Sequence, residues 1–232
     1  MNKVIDIVVI LGKSGSGKTT LLNNLVRYEH FRPLRTFTTR PKRSVNDNEY
    51  EFITQEDLKD IDLKSLIESR NYHIESLDTI WTYGTYIPDI EKFSDEKISN
   101  RFCCIGTIET LRMFFEYADR LIEEKNITCN VIPIMIDVPY YRRLKRIINR
   151  LINDNKGAED SYVLDKITEV FDREKRDCEM EETIEDEDSG YNKTRGYIRL
   201  CQVIYDQSSM TPIDLFNEVM AIYYMKKSNE KN

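Results

Sequence analysis

Apolar residues fill all but one position from Val4 to Leu11, and most are β-branched. Such a run predicts a parallel strand buried on both faces. From Thr19 to Tyr28 the period changes: Leu21, Leu22 and Leu25 recur at helical spacing. A basic, polar stretch follows from Arg32 to Asn48, and Tyr50 to Thr54 predicts a short strand. Gln55 to Glu68 alternates charge with Leu58, Ile61 and Leu66 at roughly helical spacing. Tyr72 to Thr85 mixes aromatic and β-branched residues, which predicts strands joined by a turn. Arg101 to Ile105 predicts another strand. Glu109 to Lys125 predicts a helix that buries Leu111, Phe114, Phe115, Ala118 and Leu121. Asn130 to Val138 is a third apolar strand, closed by Pro139. Arg142 to Ile152 predicts a basic helix, Asn153 to Asp160 a polar loop, and Val163, Ile167, Val170 and Phe171 one face of a further helix. Gln202 to Tyr205 predicts a short strand and Pro212 to Met225 a closing helix. Strands that alternate with helices, without internal repeats, indicate a three-layer α/β domain.

The length of 232 residues suits one such domain, with room for inserted lobes. The net charge of −7 argues against a surface that wraps nucleic acid. Five cysteines, Cys103, Cys104, Cys129, Cys178 and Cys201, lack zinc-ligand spacing and have only His30 and His73 to help them. They read as free thiols of a reducing, cytoplasmic compartment, with Cys103 and Cys104 in the core. No apolar run has transmembrane length, and the N-terminal run reads as a strand rather than a signal peptide. The acidic run Asp177 to Asp188 reads as a solvated helix end passing into a loop.

Chemistry enters directly after the first strand. Gly12-Lys13-Ser14-Gly15-Ser16-Gly17-Lys18-Thr19 fits G-x-x-x-x-G-K-[ST] completely, between a buried strand and a helix. The backbone N–H groups of such a loop, with the helix N-terminus behind them, hold phosphate oxygens. Lys18 is expected to reach the β- and γ-phosphates of ATP or GTP, and the Thr19 hydroxyl to ligate Mg²⁺. Thr20 completes the expected nucleotide contacts.

A second concentration of phosphate-compatible groups follows. Arg40, Lys42 and Arg43 lie close together, with Thr36, Thr38, Thr39 and Tyr50 around them. A guanidinium fork matches a phosphate bidentately. The stretch reads either as the site of a second phosphate-bearing ligand or as a solvated basic loop. Further on, Ile74-Glu75 precedes Trp81-Thr82-Tyr83-Gly84-Thr85. Guanine presents two adjacent N–H donors on one edge, and one carboxylate accepts both. Glu75 reads as such an acceptor or as a surface glutamate.

The phosphate loop, then Thr-Thr-Arg, a nearby Arg, Tyr-x-Phe, Ile-Glu and Tyr-Gly-Thr occur in an order that resembles the guanylate kinase family. The resemblance implies a P-loop core, a three-layer α/β/α parallel sheet, from residues 1–35 and 87–232. It also implies an inserted mixed α+β nucleotide-binding lobe, 36–86, and a helical lid at about 146–176. It implies transfer of the γ-phosphoryl group of ATP, with Mg²⁺, to GMP or dGMP, by a cytoplasmic monomer or homodimer with no nucleic-acid or membrane partner. Arg40, Arg43, Tyr50 and Tyr83 would grip the acceptor phosphate, and Thr36, Glu75 and Thr85 would read the base. Lys18 and Arg40 would join Arg146, Arg150 and either Arg173 or Arg176 in stabilising the transferred group. Val203 to Gln207 resembles the late strand of the family. Where the family carries Asp-x-Asp, this chain has CCIGTIET, offering Gly106, Thr107 and Glu109. That departure keeps two alternatives open: a P-loop kinase of another monophosphate or phosphorylated metabolite, and a catalytically silent binding module.

Overall fold

The computed structural model describes residues 3–42, 47, 50–74, 78–88, 100–168, 170–171, 201–205 and 210–229. A five-stranded sheet runs in the order β2-β7-β1-β8-β9, built from β1 (Lys3–Leu11), β2 (Arg32–Pro33), β7 (Arg101–Ile105), β8 (Ile127–Asp137) and β9 (Gln202–Tyr205). The pairs β2·β7 and β8·β9 are parallel. Helices α1 (Lys18–Glu29), α2 (Ile108–Lys125) and α3 (Tyr140–Asp154) follow β1, β7 and β8, and Pro212–Asn229 closes the chain. This is the mixed α/β arrangement that the alternation of patterns predicts. In β1, Ile5 and every residue from Ile7 to Leu11 are fully buried. Burial of one such aliphatic side chain contributes about 1.5–3 kcal/mol, so the core fixes this strand more firmly than strand propensity could.

The chain divides into two compact units. One comprises Met1–Val9, Leu22–Cys104 and Glu109–Ile132. It contains a four-stranded sheet in the order β4-β3-β6-β5, from β3 (Thr36–Thr38), β4 (Glu51–Phe52), β5 (Leu66–Ile74) and β6 (Thr79–Tyr86). Strands β5 and β6 form an antiparallel hairpin whose register shifts between Leu66 and Glu68. The other unit comprises Ile10–Leu21, Ile105–Ile108 and Pro133–Asn232, and contains the phosphate loop, α3 and β9.

One stretch departs from its pattern. Gln55 to Glu68 forms two short 3-10 turns, Asp57–Asp60 and Leu63–Ser65, before entering β5. Side chains there bond the local backbone in competition with an α-helix. Thr54 N–H and hydroxyl donate to Asp57 Oδ2 at 2.8 and 2.7 Å, and Asp62 Oδ1 accepts from Lys64 N–H at 3.0 Å. Short strands β2 and β3 also emerge from the basic stretch, where the polar pattern carries no strand signal.

Cys103, Cys104 and Cys129 are buried free thiols, and Cys201 is buried as well. Burial pushes Cys103 and Cys129 up to about 12 and Cys201 up to about 11, and raises Cys104 well above its ordinary value. Among the described residues no group of three or more His, Cys, Asp or Glu could hold a metal, and no helix is long and apolar enough to cross a membrane. Cys178 and the acidic run 177–188 lie outside the described residues.

Candidate functional site

The phosphate loop fills the turn between β1 and α1. Helix α1 takes over at Lys18, and Leu21 N–H donates to Gly17 O at 3.0 Å. Lys18 Nζ donates to Gly12 O at 2.7 Å and to Lys13 O at 3.0 Å. The lysine thus folds back over the loop, with its charge at the helix N-terminus. Gly15 has φ +75°, and a Cβ there would sit 2.7 Å from Arg143 O. Only glycine lets the loop approach α3 this closely. Ser16 is buried, and its Oγ has no hydrogen-bond partner among the described residues.

Helix α3 brings arginines to this loop. Buried Arg143 donates from Nη1 to Ser14 O at 3.1 Å, and its guanidinium lies 5.5 Å from the Tyr140 ring centroid. Exposed Arg146 donates from Nη1 to Gly15 O at 3.4 Å. Arg150 is exposed on the same helix. Thr19 lies one residue into α1, and Thr20 is exposed beside it. The donor set suits a polyphosphate: backbone N–H groups, a lysine, two arginines and a helix N-terminus. It also suits Mg²⁺ carried in by the nucleotide, for which Thr19 supplies one hydroxyl and the phosphates supply further oxygens.

The second cluster lies on one face of the four-stranded sheet. Directly opposed residues of an antiparallel pair share a face. Thr36 faces Thr85, which faces Glu68; Thr38 faces Tyr83, which faces Arg70. Residues 68, 70 and 72 therefore point the same way along β5. Thr85 Oγ1 donates to Glu68 Oε1 at 2.6 Å. The Glu68 side chain is only 3% exposed, and its Oε2 has no hydrogen-bond partner among the described residues. Arg70 Nη1 lies 3.8 Å from that oxygen, beyond hydrogen-bond length. The Arg70 guanidinium lies 5.7 and 5.6 Å from the ring centroids of Tyr72 and Tyr83. Tyr83 packs edge-on against both Tyr50 and Tyr72, at 5.5 Å in each case. Close approach shapes this face too: a Cβ on Gly84 would meet the Phe37 ring.

Burial alone would lower the pKa of Arg70. The charges of Glu68, Tyr72, Tyr50 and Glu109 more than offset that, so its pKa is raised and the guanidinium stays charged. Burial raises the Tyr72 hydroxyl, against the pull of Arg70 and with help from Glu109 and Glu68. Glu109, the second residue of α2, therefore lies close enough for its charge to act on this cluster.

Arg40 occupies a different setting. It is 2% exposed, donates from Nη2 to Asp47 Oδ2 at 3.0 Å and from Nη1 to Pro41 O at 2.8 Å, and lies 5.2 Å from the Phe52 ring centroid. Of the residues expected from sequence, the fold brings Thr36, Tyr50, Tyr83 and Thr85 onto or beside one sheet face, and Lys18 and Arg146 onto the phosphate loop. Arg43, Glu75, Arg173 and Arg176 lie outside the described residues, as do Asp206 and Gln207. Sequence reasoning missed three groups. Glu68 follows Ile67 just as Glu75 follows Ile74, and strand pairing sets Glu68 opposite Thr85. Arg70 follows Glu68 at the two-residue spacing of one strand face. Arg143 precedes Arg146 and Ile147 by three and four residues, the spacing of one helix face.

Residues 5–111 match the family model for guanylate kinase. No curated protein matches the chain. Among solved structures, an uncharacterized protein from Eubacterium ventriosum is 14% identical, over 96% of this chain and 98% of that one, with a TM-score of 0.35.

Proposed function

From the match of residues 5–111 to the guanylate kinase family model, we propose that the chain belongs to that family and transfers the γ-phosphoryl group of ATP to GMP or dGMP. The observation that carries this reading is Glu68. A buried carboxylate keeps one oxygen paired with Thr85 and the other without a hydrogen-bond partner among the described residues. Buried acceptors are ordinarily satisfied, so the second oxygen suits an N–H donor brought by a ligand. The adjacent N1–H and N2–H₂ groups of guanine supply such donors, and adenine lacks the pair. Thr36 and Thr85 complete the base-reading group.

Residues 36–86 then serve as the acceptor lobe, with Tyr50, Tyr83 and Arg43 at the acceptor phosphate. Arg40 is already bonded to Asp47. The phosphate loop, Gly12 to Thr20, holds ATP. Thr19 is the described residue that would hold Mg²⁺ brought in with ATP, which would supply charge neutralisation at the phosphates. Lys18 exchanges its loop carbonyls for phosphate oxygens, and Arg146 and Arg150 supply further positive charge from a lid spanning about 146–176. Phosphoryl transfer asks little covalent chemistry of the protein beyond alignment and charge stabilisation.

The test pairs a coupled ADP-release assay on GMP with calorimetry of Mg·ATP. Saturable, GMP-dependent turnover supports the kinase. Tight Mg·ATP binding without turnover on any acceptor would favour a silent binding module. The replacement of Asp-x-Asp by CCIGTIET favours a second reading within enzymes, a kinase of another monophosphate. Turnover on a different acceptor would reveal it.

A further inference from the structure

On the reading that this sheet face binds a nucleoside monophosphate, we propose that Arg70 is a further acceptor-binding residue and grips the phosphate rather than the base. The sheet register sets a polarity along the hairpin. Glu68, Thr85 and Thr36 form one row across three strands, and Arg70, Tyr83 and Thr38 form the next row on the same face. Adjacent rows on one face are two residues apart, about 6.8 Å along a strand. If the first row reads a base edge, the second lies toward the rest of the nucleotide.

The chemistry of the second row matches an anion. Arg70 carries a planar fork suited to bidentate phosphate contact. The Tyr72 and Tyr83 rings lie within cation–π distance and hold the fork in place. Tyr50 packs edge-on against Tyr83 beside them. The Arg70 side chain is 16% exposed, against 3% for Glu68. Arg40 cannot substitute without giving up Asp47.

The experiment compares GMP with guanosine, which lacks the phosphate, on the full chain and on Arg70→Gln and Arg70→Lys. The readouts are calorimetric affinity and the KM for GMP against kcat. Arg70→Gln is expected to weaken GMP by about tenfold or more while leaving guanosine within about twofold, inside the usual scatter of such measurements. Arg70→Lys, a point charge without the fork, is expected to fall between. Circular dichroism and thermal unfolding report whether each variant is folded; should Arg70→Gln fail to fold, Arg70→Lys carries the same comparison. Equal loss for GMP and guanosine would overturn the proposal, because Arg70 would then act through Glu68 or the sheet. An unchanged GMP affinity would overturn it as well. If the wild-type chain prefers another monophosphate, the base reading fails, and the same comparison on that nucleotide and its nucleoside still decides Arg70. If the wild-type chain binds no monophosphate more tightly than its nucleoside, this proposal fails too.

Discussion

At Glu68 a carboxylate is held almost out of solvent, beside an arginine too distant for a hydrogen bond. Replacing it with glutamine removes the charge and keeps the shape. Glu68→Gln is expected to lower kcat/KM for GMP by about 1.5–3 kcal/mol, the range for hydrogen bonds to charged groups. Mg·ATP affinity, measured by calorimetry, should stay unchanged. Glu75→Gln made in parallel separates the two Ile–Glu pairs: loss in that variant alone would return the base-reading role to Glu75. The Arg40–Asp47 pair supplies a second residue-scale test. Both side chains are nearly inaccessible, so Asp47→Ala strands a buried guanidinium. The expected cost is about 3–5 kcal/mol of stability, read from denaturant unfolding. A loss below 1 kcal/mol would mean the pair is solvated. Sequence could name the residue types here but could not choose among them. Glu68 and Glu75 look alike until strand pairing sets one against Thr85.

Among the elements, the strongly periodic ones were legible and the weak ones were not. Strands β1, β7 and β9 and helices α1 and α2 follow their patterns to within about two residues, the ordinary uncertainty of helix and strand ends. Gln55 to Glu68 shares the spacing of a helix, but Thr54, Asp57 and Asp62 bond the local backbone and shorten it to two turns. The shift at the start of β5, between Leu66 and Glu68, left no trace in composition, yet it sets the register that brings Glu68 opposite Thr85. The phosphate loop was legible in full, because its glycines answer a backbone requirement. Gly15→Ala tests that requirement: positive φ and the Arg143 carbonyl both oppose a Cβ. The variant is expected to lose about 1–3 kcal/mol of stability. It should also bind Mg·ATP more weakly, checked by thermal unfolding and calorimetry. Wild-type behaviour in both would mean the loop and α3 do not meet as described.

For the whole molecule, the buried thiols predict a pH dependence. Cys103 and Cys129 ionise near 12 in the fold against an ordinary value of 9.0. A raised folded value favours the native state fully below the unfolded value, and the benefit is lost as pH rises toward the folded one. Thermal midpoints should therefore fall progressively from about pH 9 toward pH 12. The proposed kinase needs both a donor loop, legible from sequence, and an acceptor face, assembled by strand pairing. It is tested most directly by steady-state turnover with Mg·ATP against GMP, dGMP, AMP, CMP, UMP and dTMP in one coupled assay. Turnover is expected on GMP or dGMP, with kcat/KM at least about tenfold above every non-guanine acceptor, one hydrogen-bonded contact's worth of discrimination. Absence of turnover on both guanine nucleotides would contradict it.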